Sequence, residues 1–232
     1  MSRYAIYYSP RQGEPIARFA RSWLGRDPEM AGLCPQLNVE GIKPDRLVEI
    51  TADPRHYGFH GTLKAPFRLA DGMSEDDFLA RLLVFAAERQ PIEIERIKLK
   101  RIGDFLALVP AKPAKRLNEL AADCVRDFDR FRAPLTESEL ERRRAGTGLS
   151  KRHDKLLTQW GYPYVFGEFR FHLTLTGALD NPEREFVRGV LTELTQSICD
   201  QPLLVRDLTV FMQDDRLSPF RIVARYPLSG TW

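Results

Sequence analysis

Apolar and polar positions follow two rhythms along this chain, one near 3.6 residues and one near 2, and the switches between them delimit its elements. Arg3 to Tyr8 is aromatic and aliphatic and stops at Ser9-Pro10, which predicts a short strand. Over residues 14–24 the apolar side chains Ile16, Phe19, Ala20, Trp23 and Leu24 recur at helical spacing, and Gly25 ends the run. Residues 26–43, broken by Pro28, Gly32, Pro35 and Gly41, read as irregular. A strand is expected over 57–63, between Pro54 and Pro66. Ser74-Glu75-Asp76-Asp77 begins a helix that Pro91 stops, because a serine cap and early acids suit the free N–H groups of a first turn. Residues 92–102 alternate as a half-buried strand does, and Gly103-Asp104 turns the chain into a second strand over 105–109. A helix is expected over 114–131, with Leu117, Leu120, Ala121, Cys124, Val125 and Phe128 on one face. Beyond it come a strand over 168–176, a helix over 182–199, and a closing hairpin over 203–212 and 220–226.

This order contains a repeat. Phe59-His60-Gly61-Thr62-Leu63 and Phe171-His172-Leu173-Thr174-Leu175 share the pattern F-H-x-T-L, with the histidines 112 residues apart. Each copy is preceded by a helix and followed by helix, strand, turn and strand. The turns lie 43 and 42 residues after their respective histidines, at Gly103 and near Asp214-Asp215. Matched offsets and the same element order predict an internal duplication, with the copies as two lobes of one domain over 1–232 built around the strands 57–64 and 168–176. Residues 132–163 have no counterpart in the first half. This insertion holds Glu141-Arg142-Arg143-Arg144 and then Gly146-Thr147-Gly148, and it reads either as a lid or binding loop or as a solvated helical hairpin.

Composition narrows the classes. Hydrophobic residues at 43% and charged residues at 29% are those of a globular chain, which excludes wholesale disorder. A formal net charge of +3 is too small to predict polyanion binding from bulk charge, although a local anionic ligand is allowed. The cysteines Cys34, Cys124 and Cys199 are scattered and form no CxxC pair, so buried reduced thiols are expected rather than a zinc site or disulfides. Pro10 interrupts the first residues before a signal-peptide run develops, and no stretch nears the ~20 apolar residues of a membrane span. A soluble cytoplasmic protein is expected, with no membrane association and no obligate protein partner.

The candidate chemistry lies in the two histidine strands. Residues two apart on a strand share a face, so His60, Thr62 and Lys64 go together, as do Arg170, His172 and Thr174. Taken singly, either face could be an ordinary solvent face. Two copies in duplicated halves instead predict two histidines meeting at one cleft. Imidazole gains and loses protons near neutrality. Two imidazoles facing one phosphodiester can divide the work, one taking a proton from the nucleophile and the other protonating the leaving oxygen. Thr62 and Thr174 can donate hydrogen bonds to the non-bridging oxygens, and Lys64 and Arg170 can hold the anion or serve as surface charges. The arrangement requires neither a metal nor a cofactor.

These paired H-x-T motifs resemble those of the two-histidine (2H) phosphoesterase superfamily, which includes 2′,3′-cyclic nucleotide phosphodiesterases and RNA 2′,5′-ligase-like proteins. The resemblance implies a bilobal α+β domain with pseudo-twofold symmetry, antiparallel sheets lining a central cleft and helices outside. More closely, Tyr57-Gly58-Phe59-His60-Gly61-Thr62-Leu63-Lys64-Ala65-Pro66-Phe67, Arg152-His153-Asp154-Lys155 and Trp160-Gly161-Tyr162-Pro163-Tyr164 through to His172 resemble a bacterial subfamily labelled as phosphonate-metabolism proteins. Gly61 stands where that subfamily leads us to expect alanine. The expected substrate is a small cyclic phosphate, of a nucleotide or a ribose, or an RNA end.

Two rival readings compete with this one. His56 and His60 are four apart, a zinc spacing on a helix, but Pro54, Gly58 and Gly61 argue against a helix there. On a strand the two rings would be roughly 13 Å apart. His56 is therefore expected in a loop, and His153 in a solvated or structural role. The other rival is a non-catalytic nucleotide- or RNA-binding module, which would have no use for two identically placed His/Thr pairs.

Overall fold

A computed structural model describes residues 2–30, 32–145 and 148–230. Gly146 and Thr147 of the insertion lie outside the described residues. In chain order the elements are β1 (Arg3–Tyr8), α1 (Pro15–Leu24), β2 (Arg26–Asp27), β3 (Gly32–Leu33), α2 (Pro44–Ile50), α3 (Ala52–Tyr57) and β4 (Gly61–Phe67). Then follow α4 (Glu75–Ala87), β5 (Ile92–Ile94), β6 (Ile97–Ile102), β7 (Phe105–Pro110) and α5 (Lys115–Asp127). The insertion forms α6 (Glu137–Ala145) and α7 (Lys151–Trp160). The chain ends with β8 (Leu173–Thr174), α8 (Asn181–Cys199), β9 (Leu203–Val205), β10 (Asp207–Gln213) and β11 (Arg221–Pro227).

The fold is α+β. Seven strands form one antiparallel sheet in the order β11-β10-β1-β4-β8-β7-β6, and β5 pairs with β9 in a separate ribbon. β1 and α1 form as expected, because Pro15 presets the first turn and Gly25 closes the last in the left-handed conformation at φ 70°. Ser74 caps α4 by accepting a hydrogen bond from the Asp77 N–H at 3.1 Å. The hairpin at Gly103-Asp104 also forms, with Ile102 opposite Phe105 and Gly103 at φ 57°.

One face of the sheet is covered by helices. Ile6, Leu63, Leu106, Leu173 and Val210 of the strands pack there with Trp23 of α1, Phe78 and Phe85 of α4, Leu117 and Cys124 of α5, and Leu191 of α8. The opposite face carries a smaller cluster of Ala5, Tyr7, Phe211 and Phe220. No helix among the described residues is long and apolar enough to cross a membrane.

Several expectations are corrected. Residues 92–102 and 203–212 each split in two, because β5 and β9 leave the main sheet to pair with each other while β6 and β10 stay in it. The first histidine strand begins at Gly61 rather than at residue 57, since α3 occupies the preceding residues and places His56 in its last turn rather than in a loop. Pro66 is tolerated within β4 because the β1–β4 ladder slips twice, between Tyr4 and Ile6 and between Ile6 and Tyr7, leaving irregular pairing where its missing N–H would have counted. The second histidine strand is the two residues of β8, preceded by a 3₁₀ turn at Phe166–Glu168. Alternation over 168–176 encoded extended backbone, but only Leu173 is paired on both sides, while Thr174 pairs with Ala107 of β7 alone. Of the cysteines only Cys124 is buried; Cys34 and Cys199 are half-buried, and all three are free thiols.

Gly61 sits at the centre of the sheet, paired with Leu173. A Cβ added there would stand 2.3 Å from Cε2 and 2.5 Å from Cζ of Phe171, whose ring is itself buried. Gly61 and Phe171 therefore fit as a pair, and the alanine expected at position 61 has no room. Gly61→Ala should destabilise the protein by about 1–3 kcal/mol in chemical denaturation. Combining it with Phe171→Leu should recover part of that loss. Unchanged stability in the single variant would show that the ring yields freely.

Candidate active site

Antiparallel pairing of Gly61 with Leu173 fixes what stands beside it. Carrying that register one residue either way sets His60 opposite Thr174 and Thr62 opposite His172. Alternation then turns all four side chains to the same face, in a two-by-two patch with the histidines on one diagonal. Diagonal neighbours of this kind lie roughly 7–8 Å apart at Cα, within reach of one bound phosphate.

Both imidazoles are anchored alike. His60 Nδ1 lies 2.8 Å from the Gly58 carbonyl oxygen, and His172 Nδ1 lies 2.7 Å from that of Arg170. A carbonyl oxygen only accepts, so Nδ1 carries the proton in each ring, and Nε2 of the neutral ring is left with its lone pair. The surroundings differ. Tyr7 stacks on His60 with ring centroids 3.9 Å apart and planes inclined by 21°, and Phe211 and Tyr57 stand around the same ring. Burial pushes the His60 pKa down to about 4; the Gly58 hydrogen bond opposes this and the neighbouring His172 adds to it. Among the described residues the one aromatic ring against His172 is Phe105, at 5.8 Å between centroids.

A cavity of about 450 Å³ opens beside this patch. Thr62, His172 and Arg170 line it, together with Phe105, Val125, Phe166 and Phe169, so its walls are mainly apolar. The insertion supplies another wall: α6 packs on α7, and His153 and Tyr162 line the cavity, with Tyr164 just beyond the insertion beside them. His153 Nε2 lies 3.2 Å from a Glu168 carboxylate oxygen, and Arg152 pairs with the other oxygen at 2.7 Å. Phe166, at φ 54°, takes up a left-handed backbone at the turn that brings Glu168 to this wall.

A family described as "Protein of unknown function (DUF1045)" matches residues 62–221. The chain belongs to that family. It is 39% identical over 234 residues to a protein of Janthinobacterium sp. (strain Marseille) named ribose 1,5-bisphosphate phosphokinase PhnN, a match covering 99% of this chain and 51% of that protein. A protein of the same name from Laribacter hongkongensis (strain HLHK9) is 34% identical over 178 residues, covering 77% of this chain and 40% of the relative. The chain thus spans about half the length of the curated relatives it matches. Among solved structures it is similar to one titled "Crystal structure of phosphoesterase", at a TM-score of 0.44 and 15% identity over 99% of both chains. It is also similar to E. coli LigT complexed with 3′-AMP, at 0.42 and 14% over 98% of both.

In this DUF1045 chain, four of the six site residues expected from sequence come together: His60, Thr62, His172 and Thr174. Arg170 is exposed at the cavity wall, and its backbone oxygen holds His172. Lys64 is placed elsewhere. It is only 3% exposed, and its Nζ donates to the Val125 carbonyl at 3.2 Å and to Asp129 at 3.4 Å. The cause is the slip in the β1–β4 ladder, where β4 advances from Thr62 to Lys64 while β1 advances only from Tyr7 to Ile6. That bulge turns Lys64 to the helix-covered face with Ile6. Burial pushes its pKa down to about 8, with Asp129 opposing. His56 takes a hydrogen bond from the Gln213 amide at 3.0 Å, and no group of three metal-ligating side chains occurs among the described residues.

Sequence reasoning missed Tyr7, Phe105, Tyr162 and the His153–Glu168 pair. The run Tyr4-Ala5-Ile6-Tyr7-Tyr8 gave no sign of which aromatic would meet a histidine, whereas His153 did fall inside a segment that carried the family resemblance.

His60 should titrate near 4 by NMR. Unfolded histidine takes its proton near 6.5, so the unfolded state binds the extra proton in between. The contribution of His60 to stability is therefore present above about 6.5 and lost as the pH falls toward 4. Replacing Tyr7 with leucine should open the stacked ring and move the His60 pKa back up. A wild-type His60 titrating near 6.5 would refute burial as the controlling effect.

Proposed function

We propose that the protein hydrolyses a small cyclic phosphodiester by paired-histidine acid–base catalysis, as its resemblance to the two-histidine phosphoesterases implies. One observation carries the reading: the β4–β8 register sets each histidine opposite the other strand's threonine, with both Nδ1 atoms tied to the carbonyl two residues earlier. A binding module gains nothing from two equally anchored Nε2 atoms; proton transfer in both directions needs them. The shared F-H-x-T-L pattern and the like succession of α4, β5, β6, β7 and α8, β9, β10, β11 support reading the chain as one bilobal domain of two duplicated units.

The roles follow from the surroundings. His60, neutral through its depressed pKa, takes the proton of the attacking water at Nε2 as the water oxygen bonds to phosphorus. His172, protonated at Nε2, gives its proton to the sugar oxygen as the P–O bond of the ring breaks. Thr62 and Thr174 donate to the non-bridging oxygens, where charge builds up. Arg170 stands at the mouth of the cavity to draw in the anion.

For the substrate we propose a ribose cyclic phosphate. Relatives twice this length are named for ribose 1,5-bisphosphate. A ribose 5-phosphate carrying a second phosphate bridged across O1 and O2 yields that compound when water adds to phosphorus and O2 departs.

The test is a screen of vicinal cyclic phosphodiesters with EDTA present, reading phosphomonoester formation by phosphorus NMR. The wild type should turn over, with a bell-shaped pH profile. His60→Ala and His172→Ala should each lower kcat by roughly 10²–10⁴-fold. The double variant should cost far less than the product of the two, because the pair acts as a unit. Full activity in either single variant, or dependence on an added divalent ion, would sink the mechanism. Binding without turnover would favour the non-catalytic module.

A further inference from the structure

Two neighbouring spaces differ in character. The cavity at His172 is mainly apolar, whereas a narrow cleft that shares part of its wall is cationic. Arg3, Lys64, Arg68, Arg132 and Arg143 line that cleft, and Glu139 is the one carboxylate among its lining residues. Lys64 and Arg132 are both committed to Asp129, and Arg68 to Glu139.

Arg3 is held differently. Its Nε donates to the Gln213 side-chain oxygen at 2.8 Å, and Nη2 donates to the same atom. Gln213 is fully buried and neutral, so it fixes the guanidinium without cancelling its charge. No carboxylate among the described residues forms an ion pair with Arg3. Arg143 is the inward-facing member of the basic run in the insertion: it is half-buried and donates to the Gly161 carbonyl at 3.0 Å, while its neighbour Arg144 turns out to pair with Asp154. Tyr162 belongs both to this cleft and to the catalytic cavity, as do Ala65, Val125 and Val165. These four residues form a wall that the two spaces share.

We infer that the Arg3–Arg143 cleft is a subsite for a second phosphate, a terminal phosphomonoester on the same substrate whose cyclic phosphate meets His60 and His172. The inference rests on the proposed hydrolysis for its reacting end, but the subsite is defined by its own residues. Guanidinium groups match phosphate oxygens in planar, forked geometry, and two of them converging from β1 and α6 read a dianion better than a single charge does. The requirement for a second phosphate would also exclude plain nucleoside cyclic phosphates.

The test compares ribose 1,2-cyclic phosphate with and without a 5-phosphate, in the wild type, Arg143→Gln and Arg143→Lys. The wild type should prefer the phosphorylated ester. Arg143→Gln should lower kcat/KM for it about tenfold more than for the other, the effect of one charged hydrogen bond, with partial recovery in Arg143→Lys. Equal losses on both esters, or no wild-type preference, would overturn the subsite. Calorimetry separates binding at the subsite from catalysis. Ribose 5-phosphate should bind the wild type and bind Arg143→Gln about tenfold more weakly, even if neither ester is hydrolysed. Failure of ribose 5-phosphate to bind would overturn the inference, as would inorganic phosphate binding equally well.

Discussion

The contact on which the molecule depends is the pairing of β4 with β8 at Gly61 and Leu173. It is the seam of the sheet, with β1, β10 and β11 on one side and β7 and β6 on the other. A slip of one residue there would turn one H-x-T pair away from the face of the other and send Leu63 or Leu173 out of the core. Because β8 contributes so few ladder bonds, side-chain fit must hold the register. The Phe171 ring occupies the space that any side chain at position 61 would claim, and Leu173 closes the same gap from above. Glycine at the seam makes the alignment of the histidine face a matter of shape.

Around that seam the environment is graded. At His60 stacked aromatic rings withdraw water, and the neighbouring His172 adds to the cost of a positive charge on the ring. At His172 one ring and an open cavity leave the imidazole accessible. A pair of chemically identical groups thereby takes on two characters. The insertion completes the contrast, since it lines the apolar cavity with His153 and Tyr162 and the cationic cleft with Arg143.

The sequence was most legible where local pattern and final structure obey the same rule. The face of α5 with Leu117, Leu120 and Cys124, the Ser74 cap and the turn at Gly103-Asp104 could all be read, because each is decided within a few residues. The H-x-T pairs were legible because period-2 alternation survives from His60 to Thr62 and from His172 to Thr174. It fails two residues later. Lys64 looks like a third member of the set, yet a bulge that depends on β1 reverses it, and nothing within residues 60–67 records a partner strand's spacing. α3 was missed for a similar reason: Pro54 and Gly58 read as helix breakers, but the helix is only six residues long and ends at the glycine. The stacking of Tyr7 on His60 joins residues 53 positions apart and was beyond any local reading.

The hairpins are exchanged across the seam. β6 and β7 follow β4 in the chain but lie beside β8, whereas β10 and β11 follow β8 and lie beside β1. As the protein is synthesised, β4 and β7 emerge long before the strand that belongs between them. Until Leu173 and Thr174 leave the ribosome, both present open edges with unsatisfied backbone groups, the kind of surface on which chains aggregate. The two residues that join the halves of the sheet are therefore also the late-arriving plug of a gap that opens about sixty residues earlier, when β7 emerges. Such long-range closure is slow. The rate at which this protein reaches its folded state, and its need for a chaperone on the way, should be governed by how soon β8 finds its slot.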